Sequence, residues 1–127
     1  MPSASRLAAL VLLLGCCTWH AVAQPVSVRL LIQSSPLAGF RYHAASSVWD
    51  QLHVGDPLQL AREPENPHDA NAVSVSWNGQ KLGYVPRRQN AVLAWGMDRG
   101  EFLYARISRL ARHPNPARRL EFEVYYK

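Results

Sequence analysis

Two runs of alternating residues flank one Asn78-Gly79 pair, and this hairpin signal constrains the chain more than any other feature. Ahead of the pair, Val73, Val75 and Trp77 alternate with Ala72, Ser74 and Ser76; behind it runs Lys81-Leu82-Gly83-Tyr84-Val85. Asn and Gly both tolerate the positive φ of a type I′ turn, so the spacing predicts two antiparallel strands joined by a two-residue loop. Similar short runs recur on both sides. Val26–Ile32 is β-branched and largely alternating, Phe40–His43 reads as a short second strand, and Leu58–Arg62 follows Asp56-Pro57. Phe102–Ile107 and Leu120–Tyr126 complete the set, while Ser34–Gly39 and Arg112–Pro116 read as loops. Residues 87–98 instead place apolar side chains at helical spacing, and Gly100 is positioned to close that helix. The expected fold is mainly β with one or two short helices, a small OB- or SH3-like curved β-barrel.

The start of the chain carries a different pattern. Arg6 precedes an apolar block, and Ala21-Val22-Ala23 is a small-x-small site, so residues 1–23 read as a signal peptide. The apolar stretch from Leu7 to Trp19 falls short of the roughly 20 residues of a spanning helix. Both cysteines, Cys16 and Cys17, lie in this segment, so the remainder has no disulfide to rely on. Leu13-Leu14-Gly15-Cys16 also resembles a lipobox, with cleavage before a lipid-bearing Cys16 as the alternative. The expected location is exported, periplasmic or secreted, or else anchored to the envelope through Cys16. Residues 25–127 read as one domain, expected to be monomeric. The hydrophobic share of 48% speaks against disorder.

The net charge is +5, and arginine supplies 12 of the 14 basic residues. Its planar fork suits phosphate better than lysine's point charge, and a basic domain carries the electrostatic footprint of a nucleic-acid binder. A well-solvated surface would give the same composition. Motifs of enzymes are missing: there is no G-x-S-x-G, no H-E-x-x-H and no Gly-rich phosphate loop. His43, His53 and His68 are scattered without zinc spacing. No cofactor, metal site or catalytic residue is expected, and a metal-dependent hydrolase is only a weak third reading.

The densest information lies between Arg62 and Val75, in Arg62-Glu63-Pro64-Glu65-Asn66-Pro67-His68-Asp69-Ala70-Asn71-Ala72-Val73-Ser74-Val75. Two prolines fix φ and extend their predecessors. Asn66, Asp69 and Asn71 can each bond the local backbone, so a rigid loop presenting His68 is expected. This segment resembles the signature of the HIRAN family, R-E-P-x-N-P-x-D-x-N-A-[VI]-x-V. The resemblance continues in Phe40–His43, in Gly55-Asp56-Pro57-Leu58-Gln59-Leu60 and in Lys81–Arg87, and spans about residues 28–108.

The family resemblance implies a compact barrel related to OB folds. In helicase-like remodelling proteins of eukaryotes it implies a module that holds single-stranded DNA at a free 3′ end. Carried over position by position, Arg41 and Tyr42 match the strand before the loop, Asn66 and Asp69 the loop, and Tyr84 and Arg87 the stretch beginning at Gly83. His68 stands where the family usually has tyrosine. The function expected is a non-catalytic nucleic-acid-binding module, with aromatic stacking on Tyr42, Tyr84 and His68 and phosphate contacts from Arg41 and Arg87. Family members are hydrolases through attached ATPase modules, whose motifs this sequence lacks. An envelope domain that uses the same groove for a protein or a glycan is the alternative.

Overall fold

The structure is a computed structural model that describes residues 15–19, 21 and 28–126. The segment read as a leader therefore falls mostly outside the described residues; within it, Cys16 and Cys17 are exposed and unpaired. No helix of the described residues is long and apolar enough to cross a membrane.

Six antiparallel strands make the body: β1 (Leu30–Pro36), β2 (Pro57–Arg62), β3 (Val73–Trp77), β4 (Gln80–Tyr84), β5 (Leu103–Leu110) and β6 (Leu120–Tyr126). Their order across the sheet is β1-β6-β5-β2-β3-β4. Two short helices, α1 (Ala45–Val48) and α2 (Ala91–Asp98), accompany them. The β3–β4 hairpin turns at Asn78 and Gly79 with φ of 49° and 78°, as the type I′ reading requires. Gly100 sits at φ 87° just past α2, and its N–H donates to Met97 O.

The sheet curls until its edges touch. Register slips at Leu31/Gln33, Val75/Ser76 and Ile107/Arg109 mark bulges, which bend strands and increase their twist. β2 pairs with β5 through Pro57 and Leu58 and with β3 through Gln59–Arg62, so it turns a corner of the sheet. Beyond β1, Ala38 then bridges Tyr84 of β4, with both N–H to O=C distances 2.9 Å. This one bridge joins the outermost strands. Gly83 makes the approach possible, because a Cβ there would collide with the Ala38 carbonyl oxygen and the Leu37 side chain.

Inside lie Leu37, Phe40, Val73, Val75, Leu82, Ile107 and the inward set Leu120, Phe122 and Val124, all at most 3% exposed. Glu121 and Glu123 alternate outward along β6, the period-2 pattern visible in its sequence.

Two local expectations are corrected. Phe40–His43 is not a strand: Phe40–Tyr42 is a 3-10 turn, entered through Gly39 at φ 76° and closed by Tyr42 N–H on Gly39 O. Burial of the Phe40 ring in the core outweighs the β propensity of Phe and Tyr there. Ser34–Pro36, read as loop, is strand, because pairing with Glu121–Glu123 of β6 satisfies its backbone. Pro36 ends that strand at the sheet's rim, where a missing N–H is tolerated.

Candidate functional site

The loop between β2 and β3 is held by its own side chains. Arg62, at the end of β2, donates to Ala70 O and Ala72 O and grips the Asp98 carboxylate of α2 through Nε at 2.9 Å. Asn66 Oδ1 accepts from His68 N–H, and Asp69 Oδ1 accepts from Asn71 N–H, both at 2.9 Å. These are the Asx turns the sequence suggests. Backbone bonds from Asn66 to Glu63, Asp69 to Asn66 and Ala72 to Asp69 fold the rest.

That loop forms one wall of a groove of about 540 Å³. The rest of its lining comes from Ala38, Gly39, Tyr42 and His43, from Tyr84 and Val85, and from Arg87 and Asn90. The structure thus gathers Tyr42, Asn66, His68, Asp69, Tyr84 and Arg87, drawn from four separate segments, around one concavity. Arg41 is the exception. It is exposed and lines an adjoining shallow hollow beside Asn115 and Ala117.

The groove divides into accessible groups and clamped ones. Tyr42 is 83% exposed, and His68 is exposed on the loop. Arg87 is 76% exposed; it donates to His68 O at 2.8 Å, and its Nε lies 4.0 Å from Asp69 Oδ2. Asp69 is braced from two sides, since Asn90 Nδ2 donates to its second oxygen at 2.6 Å. The Asn71 amide bond lowers the Asp69 pKa against the cost of burial, with Asn90, Arg87 and Arg62 adding in the same direction. Asp69 is therefore a carboxylate throughout the neutral range.

Tyr84 is fixed by a polar triangle. Its hydroxyl donates to Glu63 Oε1 at 2.8 Å, while Lys81 Nζ donates to Glu63 Oε2 at 2.7 Å and to the Tyr84 hydroxyl oxygen at 3.0 Å. Burial pushes the Glu63 pKa up, but bonds from Lys81, Tyr84 and Asn66 outweigh it and leave it below its usual value. The bonds that Lys81 makes to Glu63 and to Tyr84 in turn raise its own pKa. The His43 ring meets Tyr84 edge-on at 5.4 Å. Tyr84 consequently offers a fixed ring face, whereas Tyr42 offers a free one.

Glu63, Lys81, His43 and Asn90 are the site residues that the sequence reading left out. Glu63 and Lys81 sit inside the matched motifs, and their opposite charges on adjoining segments were a usable signal. Asn90 stands at the start of α2, yet its side chain makes no cap bond and turns to Asp69 instead. Among the described residues no group of three or more His, Cys, Asp or Glu is arranged to hold a metal ion.

A curved six-stranded antiparallel sheet with a braced Asn-Pro-x-Asp loop beside its Ala38–Tyr84 bridge defines a recognisable class. The model of the HIRAN domain matches residues 30–127, and the chain belongs to the HIRAN family. Over 63 residues it is 35% identical to the helicase-like transcription factor of the rabbit Oryctolagus cuniculus, a stretch covering 49% of this chain and 6% of that protein. A crystal structure of a Lactobacillus plantarum protein is similar at a TM-score of 0.67 and 31% identity, over 78% of this chain and 95% of that one. The crystal structure of the HIRAN domain of human HLTF shares the fold, with a TM-score of 0.57 at 20% identity over 77% of this chain and 78% of that one.

Proposed function

We propose that this chain is a binding module for single-stranded nucleic acid and that the groove between the 63–72 loop and the 38–43 turn receives the strand. The observation that carries the reading is the meeting of an exposed ring, Tyr42, with an exposed guanidinium, Arg87, across one concave seam. Stacking is worth about 1–3 kcal/mol per base and does not depend on sequence, because every base has a π-face. Arginine adds the phosphate contact and the net charge of +5 draws the polyanion in. A helicase-like transcription factor among the relatives supports the same ligand class.

In the finer form of the proposal the groove takes a free 3′ end. Each Asp69 oxygen already accepts one hydrogen bond, and a carboxylate oxygen has capacity for another. A terminal sugar hydroxyl is a donor of the right kind. Asn90 and Asn71 hold the carboxylate in place for it. The groove supplies binding only; no proton-transfer pair or nucleophile is assigned to it.

The test is a titration of the chain with single-stranded DNA ending in a 3′ hydroxyl or a 3′ phosphate, each at two salt concentrations. The proposal expects affinity that falls steeply with salt and is weaker for the blocked end. Equal affinity for the two ends removes the 3′-end assignment; no binding at low salt removes the nucleic-acid reading.

A further inference from the structure

Beyond the groove lies a second concavity on the far side of the 3-10 turn Phe40–Tyr42. It has a volume of about 380 Å³ and is lined by Phe40, Trp49, Asp50, Arg112, His113 and Arg119 among others. A smaller hollow of about 230 Å³ shares lining residues with each. Gly39 and Tyr42 border both the groove and this hollow, and Phe40 borders both the hollow and the far concavity. The three form one track that passes around the turn, with exposed Arg41 at its middle.

We infer that the far concavity is a second subsite for single-stranded nucleic acid, taking a phosphate and base of the strand whose end occupies the groove. The inference rests on the function proposed above and lengthens its footprint. The far wall is prepared for this. Arg119 donates to His113 O at 2.7 Å and Pro114 O at 3.3 Å, which pins the 112–119 loop, and its guanidinium lies 5.3 Å over the Phe40 ring. The buried Phe40 ring meets Trp49 edge-on at 5.7 Å, so Trp49, only partly buried, is held in place as the aromatic side of the pocket. His113 Nδ1 accepts from Asn115 N–H, which orients the imidazole.

Arg112 is the group left for the ligand. Its side chain is 84% exposed, and the partner it has is Asp50, 3.5 Å away and 87% exposed. An exposed ion pair of this kind contributes little, so a phosphate can displace the carboxylate at small cost. Asp50 is also the one acid among the lining residues and works against an anionic ligand. Arginine with an aromatic neighbour suits a nucleotide, in which phosphate and planar base alternate.

The experiment compares a short strand of about 3 nucleotides with a long one of about 12, bracketing the lower and middle site sizes of OB folds. Both are titrated over a salt series against the unaltered chain, Arg112→Ala, Asp50→Asn and, as the groove variant, Tyr42→Ala. The long strand is expected to bind several-fold more tightly than the short one. Arg112→Ala should flatten the log affinity–log salt slope of the long strand by about 0.7, the value for one phosphate contact on a single strand. Asp50→Asn should tighten the long strand, and neither substitution should change binding of the short one. Equal affinity for the two lengths, or a long-strand slope unmoved by Arg112→Ala, overturns the second subsite while leaving the groove intact. Long-strand binding that depends on Arg112 but not on Tyr42 would instead overturn the groove and keep the second subsite. Failure of both strands to bind overturns both.

Discussion

Replacing Gly83 by alanine tests how the Ala38–Tyr84 bridge and the proposed binding groove depend on each other. The added methyl would overlap the Ala38 carbonyl oxygen and press on Leu37 Cγ and Cδ1 at 3.1 Å. Neither neighbour can yield cheaply, because the first is backbone in the bridge and the second is 1% exposed in the core. Overpacking a core by a methyl costs about 1–3 kcal/mol. Opening the bridge gives up two hydrogen bonds of 2.9 Å, each worth roughly 1 kcal/mol net. Opening the bridge relieves part of the overlap, so the two costs do not add in full, and a loss of about 3 kcal/mol is a large part of the ~5–15 kcal/mol that stabilises a small domain. At roughly 4–8 °C per kcal/mol the midpoint should fall by about 12–24 °C. Thermal and urea unfolding followed by circular dichroism measure this. Gly55→Ala is the control, since Gly55 has φ of 92° but no atom within 4 Å of the new methyl. It should lose stability through backbone strain alone, about 1–2 kcal/mol, and keep nucleic-acid binding. Gly83→Ala should weaken binding even where it remains folded, because Tyr84 is held by the same bridge. A loss below about 1 kcal/mol, or unchanged binding by the folded variant, would refute this account of the closure.

Other expectations follow from the loop and its charges. Asp69→Ala should destabilise the fold by about 1–3 kcal/mol, since it strips the Asn71 N–H cap and leaves the amide of Asn90, 2% exposed, without its acceptor; unfolding titrations check it, and an unchanged midpoint would show that the bracing is slight. Glu63 and Asp69 are both more acidic in the folded chain than their ordinary values of 4.5 and 3.8. Their contribution is thus fully present above about pH 5 and is lost as pH falls below those values and through the depressed folded ones. Melting measured between neutral and strongly acid pH should show that fall, and Asp69→Asn should reduce its depth. Lys81→Met should free the Tyr84 hydroxyl from one partner and loosen the ring, costing stacking affinity without altering the salt slope, as fluorescence anisotropy with DNA would report.

Much of the fold was legible because its strands carry their own punctuation. Asn78-Gly79 dictates a turn that local backbone sterics alone decide, and Leu120–Val124 alternates because one face is core. Phe40–His43 was misread for the opposite reason. Its conformation is set by what Gly39 permits and by where Phe40 must go, and neither is written in the β propensity of the four residues. Ser34–Pro36 is strand only because β6, distant in the chain, lies beside it: Ser34, Ser35 and Pro36 pair with Glu123, Phe122 and Glu121, and Leu37 N–H donates to Leu120 O just beyond.

The site was legible to the extent that motifs mark it. The Asn-Pro-x-Asp loop announces rigid turns through Asx chemistry, and those turns are present. Its likeness to the HIRAN signature led to Tyr42, Tyr84 and Arg87, which the fold brings to the same seam. Asn90 and the Glu63–Lys81 pair escaped notice because their roles lie in tertiary contacts: a buried amide bracing a carboxylate and an ion pair locking a phenol. Arg41 shows the converse. It belongs to the matched segment, yet the 3-10 turn sends it outward along the track rather than into the groove.

The most direct test of the central claim is a salt-dependent titration of single-stranded DNA against the unaltered chain, Tyr42→Ala and Arg87→Ala. If the groove holds the strand by stacking and charge, Tyr42→Ala loses about 1–3 kcal/mol at every salt concentration with the slope unchanged. Arg87→Ala instead flattens the slope by about 0.7. Parallel lines at wild-type affinity for both variants would contradict the claim, for then neither the ring nor the guanidinium at the seam touches the ligand.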